Sequence, residues 1–165
     1  MGQVQQPAAV PADEQPVMAV GHALRVLIVE DNLDAAEMLD RVVTSLGHLT
    51  TVAHDGATAV ALAMQFVPDV MFLDIGLPVM NGYEVARTLR DVPELSGVHI
   101  AAVTGWGQEE DRRKAREAGF DSHFTKPLSP AALEGVLGTV AERLVSDRNQ
   151  RGMPRTRRTD SGPAL

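Results

Sequence analysis

The sequence predicts an α/β protein, a five-stranded parallel sheet with helices packed on both faces. Three observations predict it. Short apolar runs and longer helical stretches alternate strictly through the middle of the chain, and strict alternation calls for right-handed crossovers that cover a sheet from both sides. Several of the apolar runs are continuous rather than alternating with polar residues, as in strands buried on both faces. Finally, 165 residues with 44% hydrophobic and 22% charged side chains hold enough apolar content to close one core without a metal or disulfide staple.

The elements follow in order. LRVLIVE at 24–30 is the first strand, and Asn32 or Asp31 then caps a helix over DAAEMLDRVVTSL, which Gly47 stops. LTTVA at 49–53 is the second strand; GATAVALAMQF is the second helix, closed by Pro68. VMFLD at 70–74 leads to GYEVARTLRDV, which ends before Pro93. VHIAAVT at 98–104 leads to EEDRRKAREA, which ends before Gly119. SHFT at 122–125 is the last strand. PAALEGVLGTVAERLV is the last helix, with Ser129 as N-cap and Pro130 at its first position.

Outside this core, two segments have little to bury. Residues 1–23, rich in Pro, Ala, Gln and Val without periodicity, read as a flexible leader, and residues 146–165 as a disordered basic tail. Charge divides in the same way: −2 in the leader, +3 in the tail and −8 in residues 24–145, for a total of −7. An acidic centre argues against a broad nucleic-acid surface. The absence of cysteine excludes disulfides, thiolate metal sites and cysteine nucleophiles. No run approaches the ~18 apolar residues of a membrane span, and the N-terminus lacks the basic start and apolar stretch of a secretory signal. A cytoplasmic protein is expected, with no room after residue 145 for a DNA-binding or other output domain.

In a parallel sheet, ligands bind beyond the carboxyl ends of the strands. The first strand ends in Glu30-Asp31, the third in Asp74 and the fourth in Thr104, while Lys126-Pro127 follows the fifth. Three carboxylates, a hydroxyl and an ammonium are thus brought to one edge. Two carboxylates 4 Å apart repel by about 4 kcal/mol at an effective dielectric of 20, so three call for a cation, a proton or much water. Oxygen donors without His or Cys suit Mg²⁺, which prefers one or two carboxylates plus phosphate oxygens. With Lys126 and Thr104 alongside, the set describes a phosphoryl pocket with a carboxylate nucleophile.

VLIVEDN at 26–32, VMFLDIGLPVMNGYE at 70–84, VTGWG at 103–107 and FTKPL at 124–128 resemble the signature blocks of the response-regulator receiver domain of two-component signalling. The resemblance covers residues 24–145 and implies a flavodoxin-like strand order, 2-1-3-4-5. It implies that Asp74 accepts a phosphoryl group from a phosphohistidine on a sensor histidine kinase or phosphotransfer protein. It gives Glu30, Asp31, Asp74 and the Gly76 carbonyl as Mg²⁺ ligands. Lys126 and Thr104 bind the phosphoryl group, supported by Gly105 and by a cis peptide before Pro127. Two departures from the usual pattern involve three positions. His123 stands where a rotating Tyr or Phe is common, and Gly76 and Trp106 occupy the positions that tune dephosphorylation.

Each feature also has a plainer use. EEDRRKARE is an exposed, salt-laced helix, although the resemblance makes Arg112, Arg113 and Arg116 candidate partner contacts. Gly105-Trp106-Gly107 is an incomplete dinucleotide motif in the wrong place. His22, His48, His54 and His99 receive no role. The expected protein is a stand-alone, non-enzymatic phosphoacceptor, monomeric or dimerising on phosphorylation, that signals through an unidentified protein partner. Two alternatives stand beside it. A haloacid-dehalogenase-like phosphatase would need an acid two places after Asp31, where Leu33 stands; the other is a receiver-fold module that works without phosphorylation.

Overall fold

The computed structural model describes residues 23–105 and 107–152. Five parallel strands, β1 (Arg25–Val29), β2 (Leu49–Ala53), β3 (Val70–Asp74), β4 (His99–Thr104) and β5 (Ser122–Thr125), form one sheet in the order β2-β1-β3-β4-β5. Five helices connect or follow them: α1 (Leu33–Ser45), α2 (Gly56–Phe66), α3 (Gly82–Arg90), α4 (Glu109–Ala118) and α5 (Pro130–Gly152). The expected α/β class and the 2-1-3-4-5 order both hold.

Alternation along the strands splits the core into two layers. Leu27, Val29, Met71, Leu73, Ile100 and Ala102 face α2, α3 and α4. Val26, Ile28, Val70, Phe72, Ala101 and Val103 face Val43 of α1 and Leu133, Val136, Leu137 and Val140 of α5. β3, in the middle, is buried at every position. That is why VMFLD carries no polar residue until Asp74.

Local chemistry sets the helix starts. Asn32 accepts from the Ala35 N–H at 3.0 Å and Asp55 from the Thr58 N–H at 2.7 Å. Asn81 and Glu84 form a reciprocal capping box, and Ser129 Oγ accepts from the Ala132 N–H at 3.1 Å. At the far end, α4 closes on Gly119 at φ 102°. The third helix stops at Arg90, two residues short of expectation. Val92 turns extended ahead of Pro93, as residues before proline do, and Pro93–Leu95 form a single 3-10 turn.

The end of the last helix needs a larger correction. The last helix does not end at Val145: α5 continues through Gly152, so 146–152 are helical rather than disordered. Nothing between Val145 and Gly152 breaks a helix. Arg148, Gln150 and Arg151 are good formers, and extending a helix already nucleated on the core is far easier than starting one. Residues 1–22 of the expected leader and 153–165 of the expected tail lie outside the described residues.

One side chain ties the amino-terminal ends of β4 and β5 to α3. Arg90 donates to the carbonyls of Gly119 (2.9 Å) and Val98 (2.9 Å) and to the Asp121 carboxylate (2.7 Å). Asp121 Oδ2 also accepts the Ile100 N–H at 2.8 Å.

Candidate functional site

Strand order brings the ends of β1, β3, β4 and β5 side by side, and the site is built there. One carboxylate oxygen from each of Glu30, Asp31 and Asp74 lies within 4.8 Å of the others. Glu30 and Asp74 are only 8% and 7% exposed, whereas Asp31 opens to solvent. Each buried acid is held at both oxygens. Glu30 Oε1 accepts the Asn32 N–H at 3.1 Å and Oε2 accepts from Lys126 Nζ at 2.7 Å. Asp74 Oδ1 accepts the Gly76 N–H at 3.0 Å and Oδ2 accepts from Lys126 Nζ at 3.1 Å. A single ammonium therefore serves two carboxylates.

Burial raises Glu30 above the usual carboxylate range against the pull of Lys126 and the Asn32 N–H, and neighbouring Asp74 adds to the rise. Burial alone would lower Lys126, but the hydrogen bonds it donates to both carboxylates outweigh it and hold the ammonium above its ordinary value. Three acids against one base leave the pocket negative, which is an arrangement that attracts a cation.

The other expected residues fall into place by register. Thr104 ends β4, buried, with its carbonyl accepting the Lys126 N–H at 2.7 Å. The Lys126–Pro127 peptide is cis, as expected. His123 pairs with Ala102, and Thr125 with Thr104. Side chains alternate along a strand, so His123 lies on the same face of the sheet as Thr104. It stands apart from the acidic cluster and lines a groove of about 200 Å³ with Arg112, Arg116 and Phe120. Both its ring nitrogens are buried without a hydrogen-bond partner among the described residues, and burial lowers its pKa. Gly105 is exposed, with open space where a side chain would project. Trp106 lies outside the described residues.

Three supporting residues received no role from the sequence. His54 Nδ1 donates to the Glu30 carbonyl at 3.0 Å, fastening the loop that carries Glu30 and Asp31. A Cβ on Gly82 would come within 2.6 Å of the Asp74 carbonyl oxygen, so α3 packs directly against the end of β3. A Cβ on Gly107 would meet Thr125 Oγ1 at 2.7 Å. His54 follows a strand that offers no acid, and only the pairing of β1 with β2 shows that it reaches the site.

Fold and site together define a flavodoxin-like α/β protein with an acidic pocket at the carboxyl edge of its sheet. The sequence model of the response regulator receiver domain matches residues 26–137, and the chain belongs to that family of two-component signalling proteins. Receiver domains bind Mg²⁺ at an acidic pocket, and Glu30, Asp31 and Asp74 form such a group here. The chain is 33% identical over 104 residues to the polar-differentiation response regulator DivK of Brucella anthropi, covering 63% of this chain and 85% of DivK. It is 35% identical over 119 residues to the probable transcriptional regulator ycf27 of Guillardia theta, covering 72% of this chain but only 46% of that longer protein. Among solved structures, chemotaxis protein CheY4 of Vibrio cholerae superposes with a TM-score of 0.69 at 26% identity, covering 72% of this chain and 99% of CheY4. Among the described residues, no helix is long and apolar enough to cross a membrane.

Proposed function

We propose that this chain is a phosphoacceptor. Asp74 takes a phosphoryl group from a phosphohistidine of a sensor histidine kinase or phosphotransfer protein, with Mg²⁺ present, and the phosphorylated domain signals through a protein partner. The observation that carries this reading is the setting of Asp74. It is nearly buried, gripped by the Gly76 N–H and by Lys126, and crowded by two further acids.

The donors fit Mg²⁺, being oxygens only and carrying more negative charge than Lys126 offsets. Glu30, Asp31, Asp74 and the Gly76 carbonyl are the residues that would hold it. When bound, the ion supplies charge neutralisation between the nucleophile and the phosphoryl oxygens.

The chain's own residues do the rest. An Asp74 carboxylate oxygen bonds to phosphorus as the P–N bond breaks, and the departing imidazole nitrogen keeps the electron pair and takes up a proton. Lys126, already 3.1 Å from Asp74, passes its hydrogen bond to a phosphoryl oxygen. The Thr104 hydroxyl turns to donate to the same group, and His123, on its face of the sheet, responds in place of the usual Tyr or Phe. That couples phosphorylation to a two-state shift of the β4–α4–β5 surface. Gly105 and Pro127 shape the flanking loops, while Gly76 and Trp106 set the path of hydrolytic water. A Cβ on Gly76 would meet only Asp74 Oδ1, at 3.7 Å, so the position leaves that path open. Arg112, Arg113 and Arg116 on α4 are the candidate partner contacts.

Incubation with acetyl phosphate and Mg²⁺, read by intact-protein mass, should add one phosphoryl group to the wild type and none to Asp74→Asn. A folded wild type that gains nothing overturns the reading.

A further inference from the structure

We infer that Val79 is a docking contact for the protein that delivers the phosphoryl group, an inference that rests on the phosphoacceptor reading above. Residues 75–81 form the loop that leaves Asp74. Its base is closed by the Gly82 N–H on the Ile75 carbonyl at 3.0 Å. At its tip, the Met80 N–H donates to the Pro78 carbonyl, two residues back, at 2.8 Å, and Val79 between them has φ 68°. This is a γ-turn with a left-handed centre, a rare and strained form. Glycine adopts that φ readily; a β-branched residue is the least suited to it.

Strain of this kind persists where something else repays it. The only other left-handed non-glycine among the described residues is Val67, which closes α2 by donating to the Ala63 carbonyl ahead of Pro68. Val79 closes no helix. Its side chain is fully exposed, at 106% of the reference area, so packing within the protein returns nothing. What the turn achieves is to present an isopropyl group to solvent at the tip of the loop that begins at the phosphoacceptor.

The adjacent loop does the same. Leu33 opens α1 two places after Asp31 and is 64% exposed. β1 and β3 are neighbours, so an exposed apolar side chain follows each of the two strand ends that bear the acids. Asp74 is only 7% exposed, and a protein bearing a phosphohistidine must come down onto these loops to reach it. The occupant that fits is a donor surface with apolar residues flanking its phosphohistidine. Apolar contacts seen only by a macromolecular donor add binding without touching the chemistry at phosphorus.

The test separates the two kinds of donor. Phosphoramidate offers a P–N bond with no protein surface. The protein donor is the fastest on wild type among the purified, autophosphorylated histidine kinases of the same cell. Val79→Gly and Val79→Asn should both raise the urea midpoint by relieving the turn. With phosphoramidate they should react at the wild-type rate, while kcat/KM from the kinase falls about tenfold, the loss of one buried valine side chain. Kinase transfer within about twofold of wild type in both variants overturns the inference. So does an equal loss with both donors. Failure of wild type to react with phosphoramidate and Mg²⁺ instead overturns the phosphoacceptor reading, and this inference with it.

Discussion

Lys126 is the residue on which the pocket's electrostatics turn, because one ammonium answers Glu30 and Asp74 together. Lys126→Ala should lower stability by about 1–2 kcal/mol in urea titrations, less than for a fully buried pair because the lysine is a third exposed. Asp31 is the converse case. It is exposed and adds only negative charge, so Asp31→Ala should leave the metal-free protein folded and at least as stable. In the wild type, Mg²⁺ at a hundred times its dissociation constant should add about 2.7 kcal/mol; in Asp31→Ala that gain should vanish. Asp74, Thr104 and Lys126 were legible in the sequence because polar residues stand out at the ends of apolar runs. His54 was not, since its bond to the Glu30 carbonyl depends on which strands pair. Val79 was not either. A left-handed turn is signalled by Gly or Asn, and the chain carries neither at that position.

Helix starts proved easier to read than helix ends. Asn32, Asp55, Asn81 and Ser129 announce their helices with a side-chain acceptor. The end of α5 has no such signal, because exposed formers extend a helix without packing against anything. Deleting residues 146–165 should therefore move the unfolding free energy by no more than about 0.5 kcal/mol. Gly82→Ala is expected to do far more. At α3's first position the added methyl would sit 2.6 Å from the Asp74 carbonyl oxygen and 2.7 Å from Ile75 Cα, both backbone atoms. The helix must shift, at about 1–3 kcal/mol, and phosphorylation by acetyl phosphate should slow as Asp74 moves with it. The sequence showed a glycine at a helix start; only the packing of α3 against β3 gives it a reason.

For the molecule as a whole, pH reads out burial. His48, His99 and His123 are all held below the ordinary histidine range by desolvation. His48 Nδ1 also accepts the Leu24 N–H at 3.0 Å, which only an unprotonated nitrogen can do. The folded protein thus binds fewer protons than the unfolded chain near and below pH 6.5. The resulting stability is present above that pH and lost as it falls. Glu30 works in the opposite direction, because its raised pKa makes ionisation above the usual 4.5 unfavourable to the fold. The urea midpoint should drop between about pH 7.5 and 5.5, and His48→Asn, which keeps an acceptor but cannot titrate, should shrink the drop.

The bonds made by Arg90 give this sheet a rigid heel. With the entrances of β4 and β5 stitched to α3 at Val98, Gly119 and Asp121, sliding either strand past that helix would cost the Arg90 bonds made to it.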